Sequence, residues 1–197
     1  MKIKLKFKPL FWPTIFLLFT LPILIGLGTW QVKRLFWKEK LLNFYITQSQ
    51  SNIIELPQEI LSSEKLKFRT ATVKGIFLND KEIHLTGKTF EGNAGFHVVT
   101  PFEMLNKQII LVNRGWVPEK YKNPDDRNFS LIHGKTKLKG IIRYPEKKGY
   151  FVPNNQPKDN FWITINPNEI KKYFKFNKNN FIEKFYIDVL RDEGKLK

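Results

Sequence analysis

Few residues in this chain have the types and spacing that catalysis or metal binding demands. The three histidines, His84, His97 and His133, fall on separate segments, with none of the i, i+4 pairing that sets two imidazoles on one helix face around zinc. There is no cysteine, which excludes disulfides, c-type haem attachment and thiolate metal sites. Soft copper(I) prefers sulfur ligands, and Met1 and Met104 are the only sulfur-bearing residues, which argues against a copper carrier. Gly87-Lys88-Thr89 has the ending of a phosphate-binding loop, but that loop needs a glycine five positions before Gly87, where this chain has Glu82. Without it the backbone amides cannot curl around a phosphate, and the segment reads as a strand followed by a turn. No Gly-x-Ser-x-Gly nucleophile elbow occurs, and Asp125-Asp126 beside Arg127 reads as a pair of solvated carboxylates in a loop. On these residues an enzymatic reading has little support, and no metal is expected.

Binding-type residues concentrate in LVNRGWVP, residues 111–118. Residues 109–112 form a continuous apolar run suited to a buried strand, and Asn113 and Gly115 tolerate the positive φ of a strand end or bulge. If the chain stays extended across Gly115, Arg114 and Trp116 project to the same side and stack, cation over ring, for about 0.5 to 2 kcal/mol. Trp and Arg are also the residue types enriched at binding hot spots. Stacking and docking are therefore both open for this pair.

The frame that holds these residues divides into an apolar helix and a strand-rich remainder. Residues 9 to 32 carry no charge, and residues 10–30 would rise roughly 30 Å as a helix, the thickness of a hydrocarbon core. They read as a transmembrane helix after a basic N-terminal segment, 1–9, that contains Lys2, Lys4, Lys6 and Lys8. Trp12 and Trp30 suit headgroup level at its two ends, and Pro22 removes one backbone donor in its middle and should kink it. A cleaved signal peptide is the alternative, with Gly26-Leu27-Gly28 loosely like a cleavage site. The apolar run is longer than an ordinary signal core, however, and bulky Trp30 follows it closely. Lys33, Arg34, Lys38 and Lys40 match the four lysines on the near side, so loop charge leaves the orientation tied.

Residues 31–48 contain good helix formers and no Pro or Gly, and read as a helical extension; residues 49–65 read as a loop. Residues 66–197 read as a mainly β outer domain. LKFRTATVKGIFL, with Gly75 as a bulge, KEIHLTG, GFHVVTPF, KQIILVN, KTKLKGIIRY and NFWITI have strand character. Turn residues separate them at Asn79-Asp80, Glu91-Gly92-Asn93, Leu105-Asn106, Asn123-Pro124-Asp125 and Pro153-Asn154-Asn155. Asn166, Pro167 and Glu169 mark the start of one short helix in the manner of a capping box. The fold class expected is a membrane-anchored α+β protein: one N-terminal transmembrane helix, then a mainly antiparallel β domain with few short helices.

The formal charge of +16 raises anionic lipid and nucleic acid as partners. The excess is scattered, and only six of the 34 basic residues are arginine, the planar fork suited to phosphates and base edges. Beside a membrane anchor, that composition favours membrane lipid and argues for no nucleic acid. A membrane-anchored basic module for either polyanion stays as the alternative function.

Four stretches together resemble a known family: LGTWQVKRLFWKEKLL, FRTATVKGIFLNDKEIHL, GFHVVTPFEMLNKQIILVNRGWVP and GIIRYPEKKGYFVPNNQPKDNFWITINPNEI. In order and content they are similar to the Surfeit locus protein 1 family of cytochrome c oxidase assembly proteins, over about residues 27–170. The resemblance implies a non-enzymatic factor that assists the maturation of oxidase subunit I and the delivery or insertion of haem a. Subunit I and haem a synthase would be its partners. It implies a bacterial plasma (inner) membrane or a mitochondrial inner membrane, with the β domain on the outer, periplasmic side and the amino terminus in the cytoplasm. Without an arginine-rich, acid-poor presequence, the bacterial location is preferred.

By the same resemblance, Gly28, Trp30, Gln31 and Arg34 set the membrane exit of the first helix, with Arg34 within reach of lipid phosphate or a partner, or serving only as an anchor. Asn113, Arg114, Gly115, Trp116 and Pro118 shape a turn of the outer domain, where Arg114 and Trp116 would touch the partner or a haem propionate. Arg143 with Pro145, and Pro153, Asn154, Pro157 and Trp162, form a second signature whose prolines and asparagines fix a long connection. Family members close with a second membrane helix, near a His-x-x-Tyr segment and a following Trp. This chain closes with FYIDVLRDEGKLK. The expectation is therefore a shortened member without the family's haem-approaching histidine, and a non-functional relic is a further alternative.

Overall fold

The computed structural model describes residues 10–56 and 66–190. The lysines of segment 1–9, residues 57–65 of the expected loop and the charged end RDEGKLK lie outside the described residues. The chain divides into two units, Met1–Ile46 and Thr47–Lys197.

The first unit is built on α1, Phe11–Ser49, which continues without a break through Pro22 and beyond the apolar stretch. The expected spanning segment and its extension are thus one helix of 39 residues, about 58 Å at 1.5 Å per residue. It is long and apolar enough to cross a membrane, and no residue of it is buried. Its threonine hydroxyls in the apolar stretch are paired: Thr14, Thr20 and Thr29 donate to the carbonyls of Leu10, Phe16 and Gly26 at 2.8, 2.8 and 2.9 Å. Such internal pairing is what a medium without water demands.

Among the described residues the second unit has seven strands: β1 (Ile54–Leu56), β2 (Thr70–Phe77), β3 (Ile83–Phe90), β4 (Asn93–Met104), β5 (Ile109–Pro118), β6 (Thr136–Arg143) and β7 (Tyr186–Val189). One short helix, α2 (Pro167–Tyr173), follows the long connection after β6. The sheet runs β1-β2-β6-β7-β5-β4-β3, and β2 also pairs with β4. Five strands therefore close on themselves, β2-β6-β7-β5-β4 and back to β2, with β5 and β7 parallel and the other neighbours antiparallel. This is the strand order of an OB-type barrel, with β1 and β3 added at its flanks. Closure removes most of the exposed backbone edge that an open sheet of this size would carry.

Alternation on each strand sends one set of side chains inward: Ala71, Val73, Phe77, Phe102, Met104, Ile110, Val112, Leu138, Ile142 and Ile187 form one buried cluster. Two glycines let the strands close. A Cβ on Gly75, where β2 passes from β6 to β4, would lie 2.0 Å from the Glu103 carbonyl oxygen, and one on Gly140 would lie 2.4 Å from Ile187. Gly75 is thus the strand-switching corner of the barrel. A second layer covers the outside of β3, β4 and β5, where Ile83, Leu85, Val99 and Leu111 pack against Trp162, Ile170 and Phe181.

Four points differ from the expectation. NFWITI is not a strand: Trp162 makes a single bridge to Leu85, and the segment is held as a coil by Asn155, whose side chain bonds Ile163, Thr164 and Glu169. β7, within FYIDVL, is a strand that completes the barrel. The segment around Gly87 is not a strand ending in a turn; β3 runs through it with a bulge between Leu85 and Lys88, and Gly87 takes φ 68°. The stretch read as a loop also holds β1, parallel to β2. The helix start stands as expected, with Asn166 Oδ1 accepting from the Asn168 amide at 3.2 Å and Asn166 Nδ2 donating to Glu169 at 2.8 Å.

Candidate functional site

A bulge in β5 decides which side chains of LVNRGWVP face outward. Val98 pairs with Gly115 and Val99 with Asn113, so Arg114 is an extra residue with no opposite partner. Gly115 takes φ 121° there, a backbone that glycine adopts without a Cβ penalty. The inserted residue breaks the two-residue alternation. Asn113 and Trp116 come to one face, opposite Val99 and His97, whereas Arg114 turns to the inner face against Phe77. The expected stack of Arg114 on Trp116 is accordingly absent: the guanidinium lies 4.9 Å from the Phe77 ring centroid, and Trp116 packs on Phe90 at 5.5 Å.

On the outward face opens a cleft of about 280 Å³, whose lining includes Lys88, His97, Asn113, Lys147, Tyr186 and Asp188. A polar chain crosses it. Arg143 Nε donates to Asp188 Oδ2 at 3.0 Å, Asn113 Nδ2 donates to Asp188 Oδ1 at 2.9 Å, and His97 Nδ1 stands 3.3 Å from Asn113 Oδ1. A carboxylate only accepts, which orients the Asn113 amide, and the amide oxygen then requires the proton on His97 Nδ1. The neutral imidazole is left with Nε2 as an acceptor. Burial holds the His97 pKa below the usual value of 6.5, aided by Lys88 and opposed by Asn113 and Asp188. Burial, with Asp188 close by, raises the Tyr186 pKa and keeps its phenol protonated. The cleft thus offers one imidazole acceptor, one phenol and several ammonium groups to a small polar or anionic group.

A larger groove of about 630 Å³ is lined by Phe90, Ala94, Trp116, Pro118, Tyr121 and Phe129, among others. Trp116 Nε1 donates to the Lys88 carbonyl at 3.3 Å, which fixes the indole with one face toward Phe90. Tyr121 and Phe129 meet edge to face at 5.8 Å, and Phe129 is largely exposed. Concave, aromatic and able to hydrogen-bond at its edges, it has the composition of a protein-docking patch.

Beneath both lies a buried cluster of charges. Arg114, 1% exposed, donates to the Ser130 carbonyl. Arg127, 0% exposed, pairs with Glu82 and donates from Nε to the Tyr121 carbonyl at 2.9 Å, while His84 Nε2 lies 2.9 Å from the same Glu82 oxygen. Burial lowers the Arg114 pKa to about 10, with Glu82 opposing and Arg127 adding to the effect. These contacts fasten the 3-10 turns Glu119–Tyr121 and Pro124–Ser130 to the barrel.

The residues singled out from sequence therefore separate. Asn113 and Arg143 meet in the cleft through Asp188, and Trp116 and Pro118 line the groove. Gly115 makes the bulge. Arg114 and Trp162 are interior: Trp162 is fully buried, its Nε1 donating to Asn160 Oδ1 at 2.9 Å. A guanidinium that solvent cannot reach does not touch a partner, so the docking role expected of Arg114 is withdrawn. On α1, Arg34 lies over the Trp30 ring at 5.2 Å, one helical turn away, with Gly28 and Gln31 on the same stretch. Asp188 and Tyr186 carry no local signal in the sequence, and neither does the pairing of Arg127 with Glu82; His97 stands out there only as a histidine without a metal-site partner. Asp125-Asp126 hid Arg127, since only the fold brings Glu82 to it. Among the described residues no grouping of three or more His, Asp or Glu could hold a metal ion.

Fold and site define an α+β protein whose N-terminal helix is long and apolar enough to cross a membrane and whose closed barrel carries a polar cleft and an aromatic groove. The chain belongs to the SURF1 family, whose model matches residues 18–195. It is similar to Surfeit locus protein 1 of Mus musculus, 36% identical over 162 residues that make up 75% of this chain and 53% of the relative. The human protein of that name is 35% identical over 153 residues, 70% of this chain and 51% of the relative. A SURF1-like protein of Monosiga brevicollis is 34% identical over 160 residues, 75% and 61% of the two chains. The chain spans about half the length of the curated relatives it matches.

Proposed function

We propose that this protein is an assembly factor for cytochrome c oxidase, held in a bacterial inner membrane by α1 with its barrel on the periplasmic side. It assists the maturation of subunit I and the supply of haem a by holding its partners, subunit I and haem a synthase, rather than by reacting with them. Family membership along residues 18–195 carries this reading. The groove and the cleft support it, because residues of the matched motifs reach them: Trp116 and Pro118 line the groove, Asn113 lines the cleft, and Arg143 bonds the cleft residue Asp188.

Haem a itself does not fit the described residues as an enclosed cofactor. The cleft that holds His97 measures about 280 Å³, below the roughly 300–1,000 Å³ of ordinary small-molecule pockets. The groove has the room, and its lining contains no histidine. The role proposed for the barrel is therefore protein docking, and no step is routed through a haem bound to it.

The reduced-minus-oxidised spectrum of native membranes, with and without this protein, tests the reading. Loss of the a-type signal relative to the b-type signals is the expected result. Full a-type signal with active, assembled oxidase in the deleted strain would overturn it.

A further inference from the structure

Among the described residues of the second unit, the two most exposed large apolar side chains are neighbours. Tyr150 is 94% and Phe151 93% exposed, more than any described apolar residue of the helix α1, where Trp12 reaches 77%. They are not on a frayed end. Residues 149–152 close a turn in which the Val152 amide donates to the Gly149 carbonyl at 3.1 Å, so the two aromatics are its central pair. Their rings meet edge to face at 5.1 Å. Below the tip, Lys148 donates to Asn154 Oδ1, and Lys147, Lys148 and Val152 belong to the wall of the cleft. An ordered turn that spends its two tip positions on aromatic rings, with two lysines at its base, gains nothing for the core.

We infer that residues 147–152 form a membrane-docking finger: Tyr150 and Phe151 enter the headgroup layer of an anionic phospholipid surface, and Lys147 and Lys148 lie beside its phosphates. Three features favour this occupant over a protein. The Tyr150 ring, with its polar edge, suits the membrane–water interface, and Phe151 adds apolar area that can enter the headgroup–acyl boundary. The lysine pair is complementary to an acidic surface and contributes about fivefold per lysine to the docked population. The chain also carries its own apolar helix, which raises the effective concentration of the finger at a bilayer once that helix is inserted. The inference stands on the finger's own geometry and does not depend on an oxidase partner.

The test uses the full chain in phosphatidylcholine vesicles, with or without phosphatidylglycerol. Because the sequence has no cysteine, Tyr150→Cys takes a single small aromatic fluorophore in place of the phenol. Quenching by nitroxide-headgroup lipid should be strong with phosphatidylglycerol present and weaken in added salt. Lys147→Ser with Lys148→Ser should lower the docked-to-free ratio about 25-fold at an unchanged melting temperature. A label that stays unquenched in phosphatidylglycerol vesicles overturns the inference. So does quenching indifferent to the lysine pair, or shielding that appears only when detergent-solubilised oxidase is added, which would make the occupant a protein.

Discussion

Replacing Arg127 by methionine should destabilise the barrel by about 3–5 kcal/mol, the range for removing one partner of a buried ion pair. The structure accounts for that figure. The guanidinium is fully buried, and the Glu82 carboxylate it pairs with is 5% exposed. After the substitution Glu82 keeps only the His84 imidazole, and the Tyr121 carbonyl loses its 2.9 Å donor. Each buried polar group left unmade costs about 1–3 kcal/mol, more when it is charged. For a unit of this size about 1 kcal/mol moves the melting temperature by roughly 2–4 °C, so a fall of roughly 6–20 °C is expected. Thermal and urea unfolding of the detergent-solubilised chain, followed by tryptophan fluorescence, would measure it.

Glu82→Gln alone should also be costly, because it strands the buried Arg127 cation. The two changes together remove both charges, keep an acceptor for His84 and should recover more than half of the loss. That non-additivity is the signature of a shared interaction. If Arg127→Met costs less than about 1 kcal/mol, as a solvated surface pair would, or if the two effects simply add, the buried-pair account is wrong.

Three more outcomes follow from the same coordinates. His97 has a folded pKa below its unfolded value of 6.5, so the unfolded chain binds more protons and stability declines as pH falls from about 6.5 through the folded pKa; His97→Gln should flatten that decline in the urea midpoint between neutral and mildly acidic pH. Gly140→Ala would set a Cβ 2.4 Å from Ile187 and 2.5 Å from the Asp188 carbonyl oxygen, and should lower stability by about 1–3 kcal/mol, as overpacking does, with the urea midpoint as readout. Phe129→Ala removes an exposed ring from the groove without touching the cleft's polar chain; it should reduce co-purification of oxidase subunit I in mild detergent more than Asn154→Ala does at a matched melting temperature.

What sequence makes visible here is what neighbouring residues decide. The uncharged run of α1, the alternation of β2, β4, β5 and β6, and the Asn166-Pro167 cap are local signals, and the elements stand where those signals put them. β7 has only four residues; its identity as a strand comes from pairing with Ile142 and Val112, which are remote in sequence. NFWITI has the alternation of a strand, but Asn155 supplies the hydrogen bonds that a second ladder would have made, and Trp162 is spent on the outer core. The cleft was half legible. Asn113 and Arg143 stand out by type, whereas Asp188, which joins them, is a lone carboxylate among the apolar residues of FYIDVL that only the fold brings to them.

The stretch NRGWVP answers to several steric demands at once. Arg114 can turn inward only because Gly115 absorbs the extra residue at positive φ. Once the bulge has shifted the register, Trp116 meets β4 at Gly95, where a Cβ would lie 2.5 Å from the indole and 2.2 Å from the Val117 carbonyl oxygen. The indole therefore needs glycine on the neighbouring strand as much as it needs the glycine before it. Asn113, one residue ahead of the bulge, reaches Asp188 on the parallel strand β7 and so ties the turn to barrel closure. A single inserted residue thereby sends a cation to the interior, an amide to the cleft and an aromatic ring to the groove. The two outward surfaces proposed for docking share β5, and a change at the bulge reaches both through the backbone before it alters any contact with a partner.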